Sequence, residues 1–145
     1  MAENLFTEDD KKRIVNAIKE AELNTSGEIQ VHIEKSCPED VLDRSAEIFS
    51  ILKMHKTALR NSVLFYLSVN DKKFSIIGDV GINNVVPMGF WDDIKNNMSQ
   101  RFKNHEFTLG LVEGISRTGE QLKAHFPYQV DDINELPDEI SFGEN

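Results

Sequence analysis

The chain has 145 residues and a net charge of -9, with 39% hydrophobic and 28% charged residues. This length suits one domain that buries about two-thirds of its unfolded surface, and the composition is that of a globular chain rather than a membrane or fibrous one. Repulsion from phosphates argues against nucleic acid or an anionic membrane as partner. The single Cys37 excludes an intrachain disulfide and any multi-cysteine metal site, and no apolar run approaches the ~20 residues that cross a bilayer.

The charge is uneven. Of the 25 acids, six follow Lys123, beyond which there is no Lys or Arg, and the rest nearly balance the 16 bases. The expected organisation is a flexible stretch over 1–6, one domain over 7–127, and an acidic, disordered tail over 128–145. The N-terminus lacks the basic and apolar regions of a signal peptide, so the expected location is cytoplasmic and the expected state a monomer.

Residues 7 to about 22 read as a helix. Thr7 suits the N-cap, Glu8, Asp9 and Asp10 occupy the first turn, and Ile14, Val15, Ile18 and Ala21 form an apolar face. Glu28 to Glu34 alternates strictly, with Ile29, Val31 and Ile33 on one face and Glu28, Gln30, His32 and Glu34 on the other, which predicts a strand with one apolar face. A second helix is expected from Pro38–Asp40 to about Met54, with Val41, Ala46, Phe49 and Leu52 inward. The apolar run from Ser62 to Val69 suits a central strand covered on both sides. Asn70–Lys73 reads as a hairpin turn, and Phe74–Ile77 as the returning strand, ending at Gly78-Asp79-Val80-Gly81. Two further helices follow a connection at Val85–Gly89: one with Trp91, Ile94, Met98 and Phe102 on a face, and one from about Thr108 to His125 using Leu109, Val112, Ile115 and Leu122.

Strand, helix, strand, hairpin partner and helices make an α/β fold with a small mixed β-sheet flanked by helices. The first two strands should be parallel and the third antiparallel to the second. That topology returns the starts of strands one and two and the end of strand three to one end of the sheet. Glu28, Asp79, Asp92 and Asp93 are therefore expected to converge there, with Thr25, Ser26, Thr57 and Asn61 as neutral oxygen donors. Clustered carboxylates resist ionising together without a cation, and hard oxygen ligands suit Ca²⁺ or Mg²⁺ rather than zinc. The competing reading is structural: Asp92 and Asp93 favour a helix N-terminus, and Arg60 neutralises Glu28 or Asp79 as an ion pair.

Other motifs carry less. His32, His55, His105 and His125 share no ligand spacing, Cys37 has no base assigned to it, and Gly78–Gly81 lacks the Gly-Lys-Ser/Thr ending of a phosphate loop.

Several segments resemble a known family. Thr25-Ser26-Gly27-Glu28-Ile29-Gln30-Val31 is similar to the Thr-x-x-Glu-Ile-x-Val start of the TPM domain. The stretch from Phe49 through Thr57, Arg60 and Asn61 to Leu64, Ile76–Ile82, Trp91-x-x-Ile94 and His125-Phe126-Pro127 continue the match in order over about residues 5–127. The resemblance implies a Rossmann-like α/β/α sandwich that binds divalent cations, chiefly Ca²⁺, in loops at one end of the sheet. By position, Glu28, Asp79, Asp92 and Asp93 would hold the metal, with Arg60, Asn61 and Thr57 in support. It also implies an alternative, a metal-assisted acid phosphatase, because that activity has been proposed for thylakoid lumen members. A third reading is a protein-interaction module without a metal, serving an unknown protein partner. No catalytic residue or organic cofactor is assigned.

Overall fold

The computed structural model describes residues 6–127 and 138–143. The elements run α1 (Glu8–Glu22), β1 (Glu28–Glu34), α2 (Val41–Ile51), a 3-10 turn (Met54–Lys56), β2 (Ser62–Ser68), β3 (Lys73–Gly78), α3 (Val80–Asn83), α4 (Phe90–Lys103), α5 (Phe107–His125) and β4 (Ile140–Phe142). The sheet order is β3-β2-β1-β4, with β1 parallel to both β2 and β4, and β2 antiparallel to β3. The expected directions of the first three strands are those observed.

Helices α1, α4 and α5 cover the sheet face that carries Ile29, Val31, Ile33, Val63, Phe65 and Leu67. Helix α2 covers the opposite face over Leu64, Tyr66 and Ile77. The result is the expected three-layer α/β/α arrangement, with unequal outer layers. Among the described residues no helix is long and apolar enough to cross a membrane.

α1 begins with a full capping box. The Asp10 N–H donates to Thr7 Oγ1, and the Thr7 N–H donates to Asp10 Oδ2, both at 3.0 Å, which satisfies two of the donors a helix start leaves over. Phe6, assigned to the flexible N-terminus, is instead part of the main core; residues 1–5 lie outside the described residues.

Three further expectations are corrected. β1 is buried on both faces, not one, because α2 lies over its polar side. Of the expected inward residues of α2, Val41, Phe49 and Leu52 do pack against the core beneath the helix, but Ala46 is exposed, and the fully buried positions are Ser45 and Ile48. Ser45 is tolerated inside because its hydroxyl bonds the Val41 carbonyl and the Ser75 hydroxyl. Ile140–Phe142, expected to be disordered, form β4 on the open edge of β1. The rest of that expected tail, 128–137 and 144–145, lies outside the described residues.

In α5 the buried stripe is Thr108, Gly110, Leu111, Gly114, Ile115, Thr118, Gly119 and Leu122, with Leu109 and Val112 only half-buried. Glycines let neighbouring helices close in. A Cβ on Gly119 would stand 2.6 Å from the Ala21 Cβ and 2.8 Å from its Cα, so this contact sets the α1–α5 spacing. Gly119→Val should therefore lower unfolding stability by about 1–3 kcal/mol, read from the urea midpoint. An unchanged midpoint would mean that the two helices separate without cost.

Candidate functional site

Register brings the central residues together. Glu28 pairs with Ser62, Val63 pairs with Gly78, and the next residue, Asp79, donates its N–H to the Ser62 carbonyl at 2.9 Å. Glu28, Ser62 and Asp79 thus form one row on the α2 side of the sheet. Two strand spacings put the Cα atoms of Glu28 and Asp79 about 10 Å apart.

Backbone constraints hold the turns of this row. Gly81 lies against the 57–60 turn, where its N–H donates to the Arg60 carbonyl at 2.8 Å and a Cβ would stand 2.2 Å from the Leu59 carbonyl oxygen. Arg60 itself has φ +52°, the left-handed region that costs a non-glycine residue about 1–2 kcal/mol. That conformation places its guanidinium on Asp79. Nε donates to Oδ2 at 2.6 Å and Nη2 to Oδ1 at 2.8 Å, a bidentate charge-assisted pair. This pairing holds the Arg60 guanidinium above its usual pKa. The side chain of Asp79 is 4% exposed and that of Arg60 46%. Asp79 Oδ1 also accepts the Val80 N–H at 2.8 Å and so caps α3.

Neutral groups complete this end. Asn61 is buried and donates through Nδ2 to Ser26 Oγ at 3.2 Å. Thr57 is 4% exposed, and among the described residues its Oγ1 has no hydrogen-bond partner. Asp92 and Asp93 do not join the group. The Trp91 indole N–H bonds Asn83 Oδ1 at 3.0 Å and Asn83 Nδ2 bonds the Gly78 carbonyl at 2.7 Å, which ties the start of α4 to the end of β3. Yet both aspartates remain exposed in the first turn of α4, where the helix dipole favours them. The four-residue helix α3, too short to show a period in the sequence, intervenes between Asp79 and α4. Among the described residues, no three carboxylate, histidine or cysteine side chains are grouped to hold a metal ion.

A second polar cluster was missed. Glu34 is fully buried, and its carboxylate accepts from Arg44 Nε at 3.0 Å, from Arg44 Nη2 at 2.6 Å and from the Tyr66 hydroxyl. His32 Nε2 lies 3.4 Å from the same carboxylate, and His32 Nδ1 lies 2.6 Å from Ser141 Oγ on β4. Arg44 also pairs with Glu47. Burial opposes ionisation of Glu34, but the bonds from Arg44, Tyr66 and His32 outweigh it and hold the carboxyl below its ordinary range. Burial pulls His32 down despite Glu34, while burial and the Glu34 carboxylate push Tyr66 up. The available signal was an arginine ten residues after a strand glutamate, which alternation alone assigns to solvent.

A third group lies where α1 meets β1. Glu22 Oε2 accepts the Ile29 N–H at 2.8 Å. Burial, a hydrogen bond with Asp138 and the charges of Asp138 and Glu28 push the Glu22 carboxyl up to about 9.

A mixed sheet with three helices on one face and one on the other, in which the Arg60-Asn61 turn is locked onto the Gly78–Gly81 turn, makes this an α/β/α domain. The chain belongs to the TPM domain family, which matches it over residues 2–121, and the resemblance read from the motifs is borne out. The fold is shared with the BA42 protein of the psychrophilic bacterium Bizionia argentinensis, at 50% identity over 95% of each chain and a TM-score of 0.87. It is also shared with the N-terminal domain of the cg2496 protein of Corynebacterium glutamicum, at 13% identity over 86% of this chain and 78% of that one, TM-score 0.66. An N-terminal domain of a protein from P. gingivalis gives 16% identity over 86% and 83%, TM-score 0.68. No protein of curated function matches the chain.

The raised carboxyl of Glu22 gives a pH signature. Between its unfolded value of 4.5 and about 9 the folded chain holds a proton that the unfolded chain has released, so this contribution to stability falls as pH rises through that window. Glu22→Gln keeps the acceptor for Ile29 without ionising. Its melting temperature should match wild type near pH 4.5 and exceed it by several degrees near the upper end of the window. A Glu22→Gln protein less stable than wild type at alkaline pH would contradict the assignment.

Proposed function

We propose that this TPM domain binds a divalent cation, Ca²⁺ or Mg²⁺, at the sheet end that carries Asp79 and Glu28. The observation that carries the reading is the orphaned Thr57 hydroxyl, a buried hard-oxygen donor in the turn that also supplies Arg60 to Asp79. A buried hydroxyl without a partner costs about 1–3 kcal/mol, and a cation ligated by hard oxygens would relieve that cost. Asp79 and Glu28 would supply charge, with Thr57 Oγ1 and the Asn61 amide oxygen as neutral ligands. The bound cation would supply positive charge that fixes the loops.

The same geometry limits affinity. Two carboxylates leave the rest of the shell to neutral oxygens and water, and the cation must displace the half-exposed Arg60 from Asp79. For Ca²⁺ that points to the weak end of protein sites, a dissociation constant on the order of 10⁻⁴–10⁻³ M.

Chelator-stripped protein titrated with Ca²⁺ and then Mg²⁺ should give saturable backbone amide shifts at Ser26–Ile29, Thr57–Asn61 and Gly78–Gly81. Asp79→Asn should abolish them, and Arg60→Gln should tighten binding about tenfold by removing the internal competitor. Binding that survives Asp79→Asn, or shifts confined to the acidic C-terminal residues, would refute the site.

A further inference from the structure

The edge of β1 is covered by a strand that binds as a separate segment would. β4 lies beyond residues 2–121 of the family match. It pairs with only three of the seven residues of β1: Val31 with Ile140, His32 with Ser141 and Ile33 with Phe142. The Gly143 N–H extends the ladder to the Ile33 carbonyl at 3.0 Å. All three residues of β4 are only half-buried.

Each position nevertheless meets a specific environment. Ile140 and Phe142 pack onto the main core, and Lys11 Nζ sits 5.8 Å from the centre of the Phe142 ring. Ser141 Oγ meets His32 Nδ1 at 2.6 Å and the Val31 carbonyl at 3.3 Å. A Cβ on Gly143 would stand 2.0 Å from Glu34 Oε2, so only glycine fits there. Main-chain pairing with alternate side chains in distinct pockets is the physics of strand addition. Lys11, Lys12 and Lys19, together with Glu8, Val15 and Asn16, line a hollow of about 380 Å³ on α1; Lys11 pairs with Glu8 there and also lies over the Phe142 ring. The segment's own flank, Asp138-Glu139, is acidic.

Both ends of the connection to β4 are anchored near the end of α1. Pro127 bridges to Thr25 and Asp138 hydrogen-bonds Glu22, so both ends of the intervening ten residues, 128–137, meet the same short stretch of chain. Ten residues reach roughly 33 Å when extended, so β4 can leave β1 without pulling on α5.

We propose that the β1 edge, walled by α1, is an acceptor groove for an extended segment of a partner protein, and that the chain's own C-terminal strand occupies it in cis. The partner segment would carry a bulky aliphatic residue, a small hydroxyl residue, an aromatic and a glycine in succession, preceded by acids. The tethered strand acts as an internal competitor and holds the groove closed until it is displaced.

The probe is a fluorescein-labelled peptide of residues 136–145, added to full-length protein and read by fluorescence polarisation. Gly143→Val in the protein should expel the tethered strand and tighten peptide binding at least ~10-fold over wild type. The same substitution placed in the peptide should abolish binding. A Gly143→Val protein with wild-type circular dichroism that binds no better than wild type would overturn the proposal. Wild-type amide exchange supplies a test independent of that variant. Ser141 and Gly143, whose N–H groups face β1, should exchange at least ~100-fold faster than Val63 and Phe65; equal protection would make β4 an integral strand and overturn the groove. A concentration-dependent dimer built by exchange of β4 would assign the edge to a second copy and likewise overturn the reading.

Discussion

The pair formed by Glu34 and Arg44 is the constraint on which the rest of the structure depends. β1 is sandwiched on both faces, yet its last residue is a glutamate with no solvent exposure. An isolated carboxylate there would be intolerable. Arg44, reaching from the second turn of α2, neutralises it through two nitrogens, and Tyr66 and His32 add further bonds. The pair therefore fixes where α2 crosses the sheet. That position in turn lets Ser45 meet Ser75 on β3 and lets Ile48 cover Leu64 and Tyr66. On the other side the same cluster receives β4, through His32 to Ser141 and through Glu34 beneath Gly143.

At the opposite end of the strands the organising force is backbone proximity. Gly81 against the Leu59 and Arg60 carbonyls, and Arg60 in a left-handed conformation, bring a guanidinium and a carboxylate together from turns nineteen residues apart. The two arginine–carboxylate pairs differ in exposure. Arg44 is 17% exposed over a fully buried glutamate, whereas Arg60 is half in water over Asp79. The first suits a permanent structural tie. The second suits a contact that can open, since an exposed guanidinium gives up little by returning to solvent.

Much of the fold was legible because the hydrophobic period is clean. Alternation in Glu28–Glu34, the unbroken run in Ser62–Ser68 and the short turn before Lys73 fixed three strands and their directions. What escaped notice involves polar or small residues placed inward. Ser45 and Arg44 do not register as core, so the inner face of α2 was read one step away, at Ala46. Gly110, Gly114 and Gly119 carry no hydrophobic signal although α5 packs on them. β4 was hidden because an acidic average over the C-terminal residues outweighed two strand formers, Ile140 and Phe142, on either side of Ser141. At the loop end, topology alone brings Glu28 and Asp79 to one end of the sheet and leaves Arg60 a choice between them, which the structure resolves in favour of Asp79. It failed for Asp92 and Asp93 because the four-residue helix α3 has no periodicity to detect.

A double-mutant cycle on Glu34 and Arg44 tests the account most directly. The unfolding free energies of Glu34→Gln, Arg44→Met and the double variant are compared with wild type. Arg44→Met strands a buried carboxylate and should cost about 3–5 kcal/mol. The double variant, with neither charge, should be more stable than Arg44→Met alone, giving a coupling of about 2 kcal/mol or more. Costs that add to within about 0.5 kcal/mol would mean that the two side chains act independently, and that something other than their pairing holds α2 on the sheet.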